Sequence, residues 1–230
     1  MREFLAEVGW FWPVVSLTAY FLGMWLAKGF HWTVFNPLLI AIGITIGAVV
    51  LSGSSYEQYQ ASAQSLSSLL TPATVCLAIP LYEKLEYLKK NMKAVLTGIL
   101  AGVLTSLVSI LALSALFGLE HQLYVTLLPK SVTTAIGISI SEELGGLGSV
   151  TAAVIAVTGV LGNVIGEGLC RLLHIREPVA QGVALGTSAH VIGTARAMEM
   201  DNLAGAVSSM SIAVAGVITV ICVTVFSTFL

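Results

Sequence analysis

Long apolar runs separated by short polar joints dominate the chain from residue 8 onward, and their lengths set the first picture. Residues 8–27 are about twenty mostly apolar positions, the length of a helix that crosses a hydrocarbon core ~30 Å thick. Trp10 and Trp12 stand near one end and Trp25 near the other, where interfacial aromatics sit, and Lys28 closes the run. A second run covers 35–51; Asn36-Pro37 opens it, proline being harmless in a first helical turn. Residues 52–65 are polar without Lys or Arg and read as a loop. Apolar character returns over 66–82, but Pro72 and Pro80 interrupt it, so this stretch is expected to cross bent or broken. Residues 94–117 form a long uninterrupted span, 118–122 a short return, 150–170 a further span, and 203–230 the last run.

Two runs depart from this pattern. Residues 125–140 hold too few apolar positions for a comfortable crossing and contain Leu128-Pro129-Lys130-Ser131-Val132-Thr133-Thr134, after which Ser141-Glu142-Glu143-Leu144-Gly145-Gly146 ends the segment. A lysine near a bilayer centre costs about 2.5–3.5 kcal/mol on insertion scales, so it normally faces a wet cavity or a partner. Proline removes an amide donor, and the carbonyls it frees are tolerated in hydrocarbon only where something satisfies them. The combination reads as a site.

Its counterpart lies in 179–198, where Gly186-Thr187-Ser188-Ala189-His190 leads to Gly193-Thr194-Ala195-Arg196. At helical spacing Gly182, Gly186, His190, Gly193 and Ala197 share a face, with Thr187 and Thr194 at its edge. Such a face serves either close helix packing, with His190 bonded to a neighbouring carbonyl, or a histidine that binds or relays a proton beside an anion. Arg196 and Glu199, three apart, either pair on a helix or leave Arg196 to clamp a carboxylate. The stripe Gly159, Gly162, Asn163 and Gly166 predicts another close backbone approach, and Glu167 with Arg171 a structural i,i+4 pair.

Charge placement adds orientation. Lys84, Lys89, Lys90 and Lys93 make 83–93 the strongest positive-inside signal and put that loop in the cytoplasm, leaving the 52–65 loop and the N-terminus outside. Arg171 and Arg176 then fall outside if the Lys130 segment crosses, and inside if it enters and returns; the charge rule favours re-entry.

Composition agrees with the pattern: 57% of residues are hydrophobic and 10% charged, with mean hydropathy +0.95, against about 25% charged in soluble domains. The expected fold is an all-α polytopic membrane protein of about 7–8 membrane segments with broken or re-entrant helices, embedded in the lipid bilayer. It is read as one domain over 1–230, with 8–51 as scaffold spans and 66–230 as a transport core. An internal repeat is a candidate, because residues 70–80 and 127–137, aligned on Pro72 and Pro129, share Leu, Pro, Val, Ala and Ile, and transporters are often built of duplicated halves. A net charge of −2 with no basic face excludes nucleic-acid binding. Cys76, Cys170 and Cys222 are read as buried core thiols; they and the four scattered histidines lack ligand spacing, so no metal or cofactor is expected. Ser188 and His190, two apart, point away from each other on a helix and cannot form a nucleophile–base pair unless the segment is unwound, which argues against an enzyme.

The motifs at 127–134, 141–146 and 158–162, and above all Gly182-Val183-Ala184-Leu185-Gly186-Thr187-Ser188-Ala189-His190 with Gly193-Thr194-Ala195-Arg196, resemble the LrgB/CidB family. Asn36-Pro37-Leu38-Leu39 and Pro80-Leu81-Tyr82 fit the same pattern, while Ala135 and Val191 stand where proline and glycine are usual. The resemblance implies a multi-pass protein of the bacterial cytoplasmic (inner) membrane that works with a smaller LrgA/CidA-type membrane partner. It also implies either a carrier of small monocarboxylates of the pyruvate, glycolate or glycerate class, or an antiholin-like regulator of murein hydrolase export and cell lysis. A homo-oligomer is expected in either case. For a carrier working by alternating access, the substrate-binding candidates are Lys130, Ser131, Thr133, Thr134, Thr187, Ser188, His190 and Arg196, and the proton-coupling candidates are His190, Glu142 and Glu143.

Overall fold

The computed structural model describes residues 10–29, 37–69, 72, 76, 78–83 and 85–230. Every regular element among them is an α-helix. The chain divides into two compact units, Met1–Cys76 and Leu77–Leu230.

In the first unit α1 (Phe11–Gly29) and α2 (Pro37–Ser52) are apolar, and Pro37 opens α2 as expected. They approach closely at Gly23, where a Cβ would lie 2.6 Å from the Pro37 carbonyl oxygen. The polar stretch expected as a loop is a helix, α3 (Tyr56–Ser68). Ser55 and Gln58 close a capping box at its start: Gln58 N donates to Ser55 Oγ (3.3 Å) and Ser55 N to Gln58 Oε1 (3.0 Å), which satisfies two amides that a helix end leaves open. Tertiary contact completes it. Trp12, buried on α1, meets Tyr59 edge to face at 5.7 Å, and Ser16 Oγ lies 3.2 Å from the Tyr59 hydroxyl.

The second unit begins with the short helix α4 (Ala78–Glu83) and then α5 (Leu85–Phe117). The lysine-rich stretch is therefore not a loop: Lys89, Lys90 and Lys93 ride on the first turns of a 33-residue helix. At 1.5 Å per residue such a helix is about 50 Å long and overshoots a hydrocarbon core of ~30 Å, so its charged start can project. Among the described residues three stretches are long and apolar enough to cross a membrane: Asn91–Phe117 of α5, α8 (Gly148–Leu172) and α10 (Asn202–Phe226). Val95, Ile99, Val103, Leu107 and Ile110 form one stripe of α5 packed with Tyr124, Val125, Leu128, Ile140, Val207, Ala215 and Val223.

Neither exceptional run crosses. The first is a hairpin: α6 (His121–Leu127), a bend at 128–133, and α7 (Thr134–Glu143) returning beside it. Its base is stapled to the start of α8, with Thr151 Oγ1 2.9 Å from the Thr126 carbonyl oxygen and 2.7 Å from Ser141 Oγ, Leu147 N donating to Thr126 Oγ1 (2.9 Å), and Gln122 Nε2 to the Gly145 oxygen (3.3 Å). The second is α9 (Pro178–Met200), continuous in name only, because Ala189 (φ −130°, ψ 15°) and His190 (φ 42°, ψ −137°) leave helical geometry. Its limbs fold together: Leu185 and Ala197 share a core cluster, and a Cβ on Gly193 would lie 2.7 Å from the Leu185 oxygen. Along α10 the neighbours run Gly182 to Ala204 and Gly186 to Ser208, then back through Thr194 at Ser208 to Met198 at Gly205, as two antiparallel limbs require.

The hairpins start from opposite ends of α8. The first is anchored at Leu147 and Thr151, the second at Glu167, and both tips reach Ile155 to Gly159 in between. Lys89, Lys90, Lys93, Arg171 and Arg176 consequently lie at one end of the unit, because Gly98 and Gly102 of α5 meet Val183 and Thr187 in the same order along the second hairpin. That is the re-entrant alternative the charge rule favours. Cys76 corrects another expectation: it is exposed, whereas Cys170 is buried and Cys222 half-buried, because only the last two face packed helices. The first half of the candidate repeat, around Pro72, falls largely outside the described residues.

Candidate functional site

The tip of the first hairpin carries the charge. Lys130 is half-buried, and its Nζ donates to Ser131 Oγ (3.1 Å), which in turn sits 3.2 Å from Ser106 Oγ on α5. Among the described residues no carboxylate pairs with this ammonium, although an ammonium has three donors to place. Beside it α7 begins at Thr133, whose extended backbone (φ −66°, ψ 149°) makes it the N-cap and whose side chain makes no capping bond. The first amides of α7 thus add partial positive charge to the same spot. Thr133 is half-buried and Thr134 exposed.

At the tip of the second hairpin most polar atoms are spent on the fold. Thr187 Oγ1 donates to the Val183 oxygen (2.6 Å) and packs against Gly102 of α5; Thr194 Oγ1 lies 2.6 Å from Ser208 Oγ on α10. His190 is only 3% exposed, and its Nε2 stands 3.0 Å from the Ile155 carbonyl oxygen. A carbonyl can only accept, so Nε2 carries the hydrogen. The ring reaches this carbonyl because Gly159 lacks a side chain; a Cβ there would fall 2.7 Å from the imidazole Cε1. Gly162 and Gly166 admit Ala189 and Leu185 in the same way, the close approach that the stripe predicts. Ser188, exposed, donates to the Ala184 oxygen (2.6 Å).

The remaining candidates stand elsewhere. Arg196 is at the base of the second hairpin, bonded to Glu167 and, through Nη1, to Glu199 Oε2 (2.6 Å), and Glu167 also holds Arg171. Glu142 and Glu143 are exposed at the base of the first hairpin, Glu142 against Gly148 at the start of α8. Lys130, Ser131, Thr133, Thr134, Thr187, Ser188 and His190 are therefore tip residues, and Arg196, Glu142 and Glu143 base residues. A cavity of about 450 Å³ in the first unit, lined by Ser16, Tyr20, Leu38, Thr45 and Tyr59 among others, includes none of them. Sequence reasoning missed the α5 face on which both tips rest, Gly98, Gly102 and Ser106; its small residues at four-residue spacing were the available signal.

An all-helical bundle with spans long enough for a bilayer and two hairpins entering from opposite ends defines a polytopic membrane protein. Residues 16–229 match the LrgB-like family, and the chain belongs to it. It is 33% identical over 220 residues to the antiholin-like protein LrgB of Bacillus mycoides and to those of Bacillus cereus and Bacillus anthracis strains, covering 94% of this chain and 95% of each relative. No solved structure matches.

Proposed function

We propose that this protein carries small monocarboxylate anions, of the pyruvate, glycolate or glycerate class that its family resemblance implies, by alternating access around the tips of the two hairpins. The observation that carries the proposal is the half-buried Lys130 ammonium beside an uncapped helix start, with no carboxylate paired to it among the described residues. An anionic headgroup of two oxygens can take the two remaining ammonium donors or the open amides of α7, with Ser131, Thr133, Thr134 and Ser188 offering hydroxyls to a 2-oxo or 2-hydroxy group. Opposed interrupted segments that meet near the middle of the spans are how many carriers expose one site to either side in turn. In this scheme Thr187 and His190 shape the site, and Arg196 braces the second hairpin. The scaffold role of 8–51, a smaller LrgA/CidA-type partner and self-association belong to the same proposal, as does the inner membrane with the lysine-rich end of α5 facing the cytoplasm.

A second reading rests on the relatives, whose name, antiholin-like protein, speaks for a regulator of lysis more directly than for a carrier. Counterflow of labelled pyruvate and glycolate into proteoliposomes separates the two. A carrier gives saturable uptake that unlabelled substrate competes away, and Lys130→Met lowers it by about a hundredfold or more, as losing one partner of a desolvated charge pair does. Uptake that neither saturates nor responds to Lys130→Met in a folded, monodisperse protein defeats the carrier reading and leaves the regulator.

A further inference from the structure

Ile155 is the residue that both tips share. It is fully buried on α8. Its carbonyl oxygen accepts from His190 Nε2 at the tip of the second hairpin (3.0 Å), while its side chain occupies the space that Gly137, in the first turn of α7, leaves open beside the Pro129 carbonyl and Val132. The tie between these two contacts is stiff, because a β-branched side chain on a helix keeps essentially one χ1 rotamer, so Cγ1 moves with the backbone that bears the carbonyl, and the packing at Gly137 confines the Cδ1 it carries. Each contact is also confined from behind. On the second hairpin, Gly159 admits the imidazole and Asn163 Nδ2 holds the Ile192 oxygen at 2.8 Å. The His190 backbone, moreover, lies at φ 42°, a region that a non-glycine residue keeps only when its surroundings impose it. On the first hairpin, Gly137 N donates to the Thr133 oxygen at 2.8 Å, which fixes the first turn of α7 against the bend.

We infer that Ile155 is a positioning residue that couples the two hairpin tips, so that withdrawing His190 from α8 alters the packing of the Lys130 tip and the reverse. The inference rests on the alternating-access reading for its purpose, since a carrier must keep both gates from opening together, but its geometry is independent of any substrate. A rotation of α8 that takes the carbonyl from His190 leaves a buried N–H without a partner and moves Cδ1 against Gly137 at the same time. One side of the membrane then senses the other through a single residue.

The test places a cysteine at Ala135, exposed at the start of α7, in the full chain with Cys76, Cys170 and Cys222 replaced, and measures its rate of reaction with a maleimide in membranes. Coupling predicts that His190→Ala changes this rate by about fivefold or more, the low end of site-to-site coupling, that His190→Gln restores much of the parent rate, and that the effect disappears in the Ile155→Val background, which keeps the carbonyl but withdraws Cδ1. If His190→Ala does not fold, Gly159→Ala, which displaces the imidazole, takes its place. A labelling rate indifferent to the second hairpin, or a response that persists unchanged in Ile155→Val, overturns the inference. Absent counterflow with the labelling response intact would defeat the carrier reading and leave the coupling standing.

Discussion

The two hairpins solve one problem, burying an interrupted backbone in a bundle, by different means. The second uses small residues: Gly182, Gly186 and Gly193 let its limbs lie against α10 and against each other, backbone on backbone, and its threonine hydroxyls return to carbonyls of the fold. Between helices in lipid little is gained from hiding apolar surface, so close packing and satisfied polar groups must supply the adhesion. The first uses hydroxyl staples at its base, Thr126, Ser141 and Thr151, and leaves its tip with an ammonium and uncapped amides that the fold does not consume. In the proposed function this contrast gives the second hairpin a bracing part and the first the chemistry.

Substitutions sharpen or break this contrast. The largest expected effect on stability is Gly186→Ala, whose Cβ would fall 2.5 Å from the Ser208 oxygen and 2.8 Å from Ser211 Cβ; overpacking against backbone costs about 3 kcal/mol. Thermal unfolding in detergent reads it, and Gly168→Ala, where nothing lies within 4 Å, is the matched control. Equal midpoints for the two variants would mean that the second hairpin is not packed as described. Next comes Thr151→Val, which removes the hydroxyl common to the staple and leaves the Thr126 carbonyl short of a partner; about 1.5 kcal/mol is expected, together with faster proteolysis or hydrogen exchange confined to residues 121–147. Exchange that rises equally in α9 would erase the distinction between the two bases. The smallest effect is Arg171→Ala. That side chain is 80% exposed, so its pair with Glu167 is screened and worth at most about 0.5 kcal/mol, and an unfolding midpoint indistinguishable from the parent is the expected result.

Much of this was legible in the residues, and for stated reasons. The span-length helices α5, α8 and α10 and the shorter apolar helices α1 and α2 follow from apolar run length, and the two exceptional segments stand out because a bilayer penalises lysine, proline and clustered hydroxyls alike. Arg171 and Arg176 pointed to re-entry before any geometry did. The family resemblance, found in the motifs around Lys130 and His190, agrees with the match over residues 16–229. Of the two functions it implied, the names of the relatives fit the antiholin-like regulator better than the carrier. Polarity alone makes 52–65 read as a loop, whereas Ser55 and Gln58 spell a capping box and Trp12 provides a wall for Tyr59, so the stretch is helical. Cys76 is exposed against expectation, because an apolar neighbourhood in sequence does not say which face of a segment is covered.

Local composition determined, unaided, that this chain lives in a bilayer and which two segments could not cross plainly, since the cost of a polar group in hydrocarbon is paid residue by residue. Only the tertiary structure decided that both segments turn back, that they do so from opposite ends, and that Arg196 serves Glu167 and Glu199 while Lys130 serves no acid among the described residues. It also decided that His190 meets the backbone of Ile155, a residue whose identity advertises nothing. Partners are chosen by which backbones can approach within contact distance, and that depends on pairs of helices far apart in sequence, which no single stretch encodes.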